Sequence, residues 1–148
     1  MDEVKIVNLP TYTDDRGCLS VLCQTSDNVM PKIERSYMIT NFGKNIVRGY
    51  HKHKKNWDCF IVVKGALKII LVDDRSGSDN YKKIKTYVLS DKHPQALIVP
   101  PGIWHGLMGL HKGTQFVSIC SENLDKSNPD EERISPDSFG NVWEVESR

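Results

Sequence analysis

The sequence is poor in helical signal, in disulfide chemistry, in long apolar runs and in excess charge of either sign. Few windows repeat apolar residues at the helical period, so helices are not the main building element. The four cysteines, Cys18, Cys23, Cys59 and Cys120, are irregularly spaced with no CxxC pair. That pattern argues against a disulfide framework or a zinc knuckle and for reduced thiols. No apolar run reaches the ~20 residues that a spanning helix needs, so no membrane association is expected. The acidic start, MDEVKIVNLPTYTDD, has no apolar h-region, and a cytoplasmic protein is expected. Lys+Arg number 20 against 19 Asp+Glu, a formal net charge of +1, which excludes the basic excess of most nucleic-acid binders. With 39% apolar and 26% charged residues the chain is not disordered, and its 148 residues suit a single domain, 1–148.

What is present reads as strands and turns. Cys59–Lys64 and Ala66–Val72 are rich in β-branched residues and too short for helices. Gly65 between them predicts a tight turn, and hence a β-hairpin over 57–72. Lys5–Leu9, Leu19–Leu22, Ile33–Ile39, Ile84–Leu89, Ala96–Val99 and Thr114–Cys120 are further strand candidates. Roughly eight to ten short strands, separated by turn residues, predict an all-β closed barrel or double-sheet jelly roll. The tail from Glu122 is polar and turn-rich. Asn128-Pro-Asp-Glu-Glu-Arg133 is its one candidate for a short helix.

Histidines gather in two motifs. The first is Arg48-Gly-Tyr-His51-Lys-His53-Lys54. On a strand, alternate residues share a face, so His51 and His53 point the same way. The second is Val99-Pro-Pro-Gly-Ile-Trp104-His105-Gly106, in which a rigid turn ends one strand and His105 begins the next. Two chemistries compete. Cupins carry HxH, a carboxylate and PxGxxH in this order, here His51, His53, Asp58 and His105, a set that would suit iron, manganese, nickel or zinc. Alternatively, an oriented neutral imidazole removes a proton near neutral pH. Arg48 then adds a cation suited to gripping a phosphate.

In order and spacing these motifs resemble the dTDP-4-dehydrorhamnose 3,5-epimerase family, small jelly-roll cupins that act on nucleotide-linked 4-keto-6-deoxy sugars. Thr13-Asp-Asp-Arg16-Gly17 is similar to its N-terminal acidic-Arg-Gly motif, and Val47-Arg48-Gly-Tyr-His51 to its RGxH motif. The segment from Lys64 to Ser78 follows its D-x-R loop, and Leu89-Ser90 the close of its next strand. Pro100–Leu107 resembles its PxGxxHGF turn, and Ile134-Ser-Pro-Asp137 with Val142-Trp143 its terminal WNDP…W segment. The resemblance implies a cupin-type double-stranded β-helix and an isomerase that needs no metal or cofactor. It also implies a homodimer sharing N-terminal strands and a nucleotide-diphosphate sugar as substrate. Residue by residue, it implies His51 as catalytic base, Asp137 as its orienter, Arg48 and Arg16 as phosphate ligands (Arg16 often across a subunit boundary), and His105 in the pocket, with Trp104 a candidate to line it.

Two positions depart from the pattern. The slot of the family's catalytic tyrosine falls at Ser118, and no tyrosine follows Tyr87. The slot of its oxyanion lysine falls near Asp58. These departures point to an epimerase acting at C3, with or without C5. RGxHxHK with an upstream tyrosine also resembles the related sugar 3,4-ketoisomerases, which implies His51, His53 and Tyr37 as the active group.

Overall fold

The computed structural model describes Met1 and residues 3–145. Its strands are β1 (Lys5–Asn8), β2 (Thr11–Asp14), β3 (Gly17–Ser20), β4 (Arg35–Thr40), β5 (Val47–His53) and β6 (Asp58–Lys64). They continue with β7 (Ala66–Asp73), β8 (Ile84–Ser90), β9 (Gln95–Val99), β10 (Ile103–Gly109), β11 (Gln115–Cys120) and β12 (Glu131–Arg133). The only helical element among the described residues is a 3-10 turn, Thr25–Asp27. Two five-stranded antiparallel sheets, ordered β1-β9-β6-β11-β4 and β12-β5-β10-β7-β8, make the jelly roll, and β2-β3 forms a two-stranded sheet of its own.

Strand alternation builds the core. On β7, Leu67, Ile69 and Leu71 meet Phe60 and Val62 of β6, Leu97 and Val99 of β9 and Phe116 of β11 between the sheets. The alternate residues Ile70 and Val72 face outward, yet they are covered as well. With Tyr50 and Trp104 they pack against Ile134, Phe139, Val142 and Trp143 of the C-terminal segment. Cover on both faces explains why these strands read as unbroken apolar runs.

Three expectations are corrected. The stretch 57–72 is no hairpin: β6 pairs with β9 and β11, whereas β7 pairs with β10 and β8 in the other sheet. Gly65, at φ 82°, is a corner where the chain changes sheets, and a Cβ there would lie 2.9 Å from the Thr114 hydroxyl. Residues 128–133 form no helix. Asp130 instead accepts hydrogen bonds from the backbone N–H groups of Lys54, Lys55 and Asn56 (3.1, 2.9 and 2.8 Å), and 131–133 adds an edge strand to β5. These tertiary hydrogen bonds override a local sequence that resembles a helix start. Finally, the strand expected at 19–22 ends at Ser20 and pairs with Thr11–Asp14, whose polar sequence hid it.

Candidate active site

A cavity of about 350 Å³ opens between the sheets, and the histidine motifs meet in it. The β5 wall supplies Arg48, His51 and His53; β10 supplies His105, β6 Asp58, β4 Tyr37, and β12 Glu131 and Arg133. Two larger depressions, of about 650 and 670 Å³, lie along the C-terminal segment and contain none of the motif histidines.

Arg48 and His51 are three residues apart, a spacing that would place them on opposite faces of a regular strand. A bulge brings both to the cavity: His105 and Leu107 of β10 oppose His51 and Arg48, two steps against three. Gly49 makes this possible. Its φ is 125°, and a Cβ would lie 2.9 Å from the Gly106 Cα and from the His105 carbonyl oxygen. Gly106 is equally constrained, since a Cβ would meet Trp143 at 2.7 Å and Tyr50 at 2.9 Å. The glycines of RGxH and HG are therefore packing requirements of the two crossing strands.

The floor of the cavity is tightly bonded. Asp58 is 3% exposed. Its Oδ2 lies 3.3 Å from His53 Nε2 and 3.6 Å from His105 Nε2. Its Oδ1 accepts hydrogen bonds from Ser118 Oγ (3.4 Å) and Cys120 Sγ (3.3 Å). The other nitrogen of His53, Nδ1, donates to the Asp130 carbonyl at 2.7 Å. The His53 and His105 rings stack at 5.6 Å. Burial pushes His105 down to about 4, against the pull of Asp58, so its imidazole is neutral at neutral pH.

The mouth is different. His51 makes no hydrogen bond among the described residues, although its ring lies 5.8 Å from that of His105. Burial lowers its pKa; the Glu131 charge opposes this, while Arg133 and His53 reinforce it. A neutral, unpaired imidazole facing a cavity is a competent base. Across from it, Tyr37 stands opposite Ser118 in the β4–β11 register. The hydroxyl missing at Ser118 is thus offered from the neighbouring strand. Burial pushes Tyr37 up to about 12, with Ser118 working the other way, so the phenol keeps its proton. Arg48 is anchored through Nε to Asn41 Oδ1 (2.8 Å) and through Nη2 to the Thr40 carbonyl (3.4 Å).

Three expected site residues lie elsewhere. Trp104 neighbours His105 on a strand and so points to the opposite face; it packs in the outer cluster, with Lys52 4.5 Å from its ring. Asp137 is exposed on a turn, where its backbone N–H bonds the Ser135 hydroxyl, and it makes no hydrogen bond or ion pair with His51. The carboxylates whose charge acts on His51 are Glu131 and, more weakly, Asp58; the helix expected over 128–133 concealed the first. Arg16 sits on the β2–β3 turn, bonded to Asp14, and does not line the cavity. His53, Asp58 and His105 each offer one ligand atom within 4.8 Å of one another, so they fit a two-histidine, one-carboxylate set for a divalent ion, with His51 outside it. Such an ion, when bound, would supply Lewis-acid polarisation of a carbonyl oxygen.

All-β strands in two packed sheets, with histidines and a tyrosine facing one inner cavity, define a cupin-type small-molecule site. The family model described as "FdtA: WxcM-like, C-terminal" matches residues 2–132, and the chain belongs to that family. It is 24% identical over 151 residues to the spore coat polysaccharide biosynthesis protein SpsL of Bacillus subtilis, covering 100% of this chain and 99% of the relative. It is 28% identical over 138 residues to the probable low-salt glycan biosynthesis epimerase Agl13 of Haloferax volcanii, covering 91% and 88%. It is 25% identical over 126 residues to the TDP-4-oxo-6-deoxy-alpha-D-glucose-3,4-oxoisomerase of Aneurinibacillus thermoaerophilus, covering 85% and 84%. Among solved structures, the dTDP-4-dehydrorhamnose 3,5-epimerase of Bacillus anthracis superposes with a TM-score of 0.85 at 22% identity, covering 97% of this chain and 86% of that one. That likeness confirms the double-stranded β-helix.

Proposed function

We propose that the protein is a cytoplasmic isomerase that epimerises C3 of a nucleotide-diphosphate-linked 4-keto-6-deoxyhexose, in deoxysugar or polysaccharide biosynthesis. The observation that carries this reading is the contrast between the two β5 histidines. Both nitrogens of His53 are engaged, by Asp130 and Asp58, whereas His51 is free to meet a substrate. The relatives named as a glycan epimerase and a 4-oxo-sugar isomerase support the substrate class.

The 4-keto group acidifies the C3 proton. His51 removes that proton, and the electron pair moves into an enolate with its charge on the C4 oxygen. Tyr37, on the opposite sheet, delivers its phenolic proton to C3 from the other face, which inverts the centre; solvent then restores both groups. Neutral His105 and the guanidinium of Arg48 are the polar groups placed to steady the substrate's oxygens. Arg48 also serves as a diphosphate ligand.

The test is solvent deuterium uptake, with product identified by NMR on a panel of dTDP-, CDP-, GDP- and UDP-linked 4-keto-6-deoxyhexoses. One deuterium, at C3, is expected in the product. His51→Asn should slow exchange by at least ~10²-fold, the usual contribution of a general base, while nucleotide binding persists. Tyr37→Phe should retain exchange yet lose the inverted product. Uptake at both C3 and C5 would contradict action at C3 alone.

A second reading, 3,4-ketoisomerisation, draws on the common face of His51 and His53 beside Tyr37. An imidazole on this wall would remove the C3 proton, the C3 hydroxyl proton would pass to the C4 oxygen through an enediol, and the same or the adjacent imidazole would return a proton to C4 on that face. A 3-keto product would establish it.

We also infer a homodimer. The β2–β3 hairpin exposes Tyr12 (65%) and Leu19 (62%), and its Arg16 does not line the cavity of its own chain. A second copy would cover this apolar pair and bring Arg16 towards a neighbouring site. Light scattering reporting a monomer at micromolar concentration would remove this arrangement.

A further inference from the structure

The free imidazole of His51 raises a question of orientation, because a general base needs a partner that fixes its ring. No hydrogen-bond partner of its ring is present among the described residues, and Asp137 is exposed on a turn and does not line the cavity. The carboxylate on the adjoining edge strand is already occupied. Glu131 is hydrogen-bonded through Oε1 to Arg133 Nε, two residues on along β12. The β12–β5 register sets Arg133 opposite His51 and Glu131 opposite His53, so both side chains project to the cavity edge beside the base. Their exposures differ in a telling way: the Arg133 side chain is 75% exposed and that of Glu131 28%. The cation is at the mouth and the carboxylate is further in.

We propose that Arg133 joins Arg48 as an in-chain ligand of the substrate's diphosphate, and that its transfer from Glu131 to the phosphate turns Glu131 onto His51 as the positioning carboxylate. The proposal rests on the nucleotide-sugar reading above. In the free protein the Glu131–Arg133 pair leaves His51 without an orienting partner. A diphosphate offers the guanidinium a stronger, doubly charged and bidentate partner than one carboxylate does. Glu131, released, faces two imidazoles on β5, and of these only His51 has free nitrogens, since those of His53 are engaged by Asp130 and Asp58. The nucleotide end of the substrate thereby readies the base at the sugar end. Sugars lacking the diphosphate would be poorly turned over even if they entered the cavity. The remaining polar groups facing His51 are His53 on its own strand, Asp58 on β6, His105 on β10 and Tyr37 on β4. Asp58 is held by four neighbours on the floor, which leaves Glu131 as the movable carboxylate.

The experiment separates the two arms. Calorimetry with TDP and with inorganic pyrophosphate compares wild type, Arg133→Gln and Glu131→Gln. Roughly tenfold weaker binding is expected for Arg133→Gln, equivalent to ~1.4 kcal/mol, and partial recovery for Arg133→Lys. Glu131→Gln should bind TDP at least as tightly as wild type. Unchanged affinity in Arg133→Gln overturns the ligand role. For Glu131, the His51 ring resonances are followed by NMR as TDP is added. They should shift in wild type and in Glu131→Asp, and much less in Glu131→Gln; equal shifts in Glu131→Gln overturn the positioning role. In turnover of a 4-keto substrate, Glu131→Gln should lower kcat with KM nearly unchanged, and Arg133→Gln should chiefly raise KM. Should wild type turn over no 4-keto sugar, the functional reading falls, while the binding and NMR arms still decide this one.

Discussion

Asp58 and Asp73 are both buried carboxylates at the ends of strands, with side-chain exposures of 4% and 0%. They solve the same electrostatic problem in opposite ways. Asp73 closes β7 and takes its hydrogen bonds locally: Arg75 reaches it through Nε (3.0 Å) and Nη2 (2.8 Å), joined by the Arg75 backbone N–H (3.1 Å) and the Ser78 hydroxyl (2.9 Å). Each of these hydrogen-bond donors lies within five residues of it in sequence; the Met1 ammonium, at 3.9 Å, adds a buried cation distant in sequence, and Arg75 carries on to Glu3. Asp58 opens β6 and is matched by nothing nearby in sequence except His53. Its partners come from β5, β10 and β11, and two of them are imidazoles that face a cavity. A buried charge closed off by a loop holds the fold together. A buried charge that aligns rings around an opening serves the opening.

Replacing each aspartate should break the comparison in different observables. The largest effect is expected on stability at Asp73. Asp73→Ala leaves a partly buried guanidinium short of its main partner, and unfolding in urea should show a loss of about 3 kcal/mol. Activity measured well below the melting temperature should stay close to wild type, because Asp73 lies outside the cavity.

The next effect is the acid limb of the stability curve. Burial opposes ionisation of Asp73, but the Arg75 and Ser78 hydrogen bonds outweigh it and hold its pKa down to about 2, from 3.8. The folded value is depressed, so the contribution is present above about pH 4 and is lost as pH falls towards 2, where the folded carboxylate takes up its proton. That linkage corresponds to ~2 kcal/mol. Denaturation curves between pH 5 and 2 should show this loss in wild type and a correspondingly flatter profile in Asp73→Asn.

Asp58→Asn should invert the pattern. The side chain keeps its shape and can still bond Ser118, so stability should change less than in Asp73→Ala. Ring alignment of His53 and His105 is lost, and kcat should fall about tenfold, worth ~1.4 kcal/mol of transition-state stabilisation. A stability loss matching that of Asp73→Ala, with kcat unchanged, would make Asp58 a second structural carboxylate and erase the distinction.

What could be read without the structure follows the same division between local and distant partners. The strand positions of the cavity histidines follow from period two and from the PPG turn, both local signals. Trp104 was misassigned to the pocket, although the same period of two sends the residue beside an inward His105 to the outer face. The mouth was legible only in part: motif resemblance names His51, Arg48 and Tyr37, but not the pairings that assemble them. Tyr37 meets Ser118 only because β4 and β11 pair in one register, and Glu131 approaches His51 only because 131–133 joins the edge of β5. The crossing at Gly65 was likewise hidden, because a glycine between two apolar runs looks alike in a hairpin and in a corner between sheets. Pairings between strands far apart in sequence carry no local signature.

Asp137 is the sharpest case of that limit, and its replacement should have the smallest effect. Motif resemblance assigns it to His51 from its position in the ISPD segment. The fold uses that segment for something else. Ile134, Phe139, Val142 and Trp143 cover the outer face of the β5–β10–β7 wall, and Trp143 Nε1 donates to the Pro136 carbonyl at 3.0 Å. Asp137 is left on the exposed turn between these anchors. Asp137→Ala should therefore shift stability by no more than ~0.5 kcal/mol, as is usual at exposed sites, and leave deuterium exchange at C3 within about twofold of wild type. Trp143→Ala, in the same segment, removes a ring that packs on Tyr50 at 5.4 Å and should cost several times more stability. If Asp137→Ala instead abolished exchange while Trp143→Ala spared it, the carboxylate would have to reach the base by a rearrangement of this segment, and the positioning role of Glu131 would pass to Asp137.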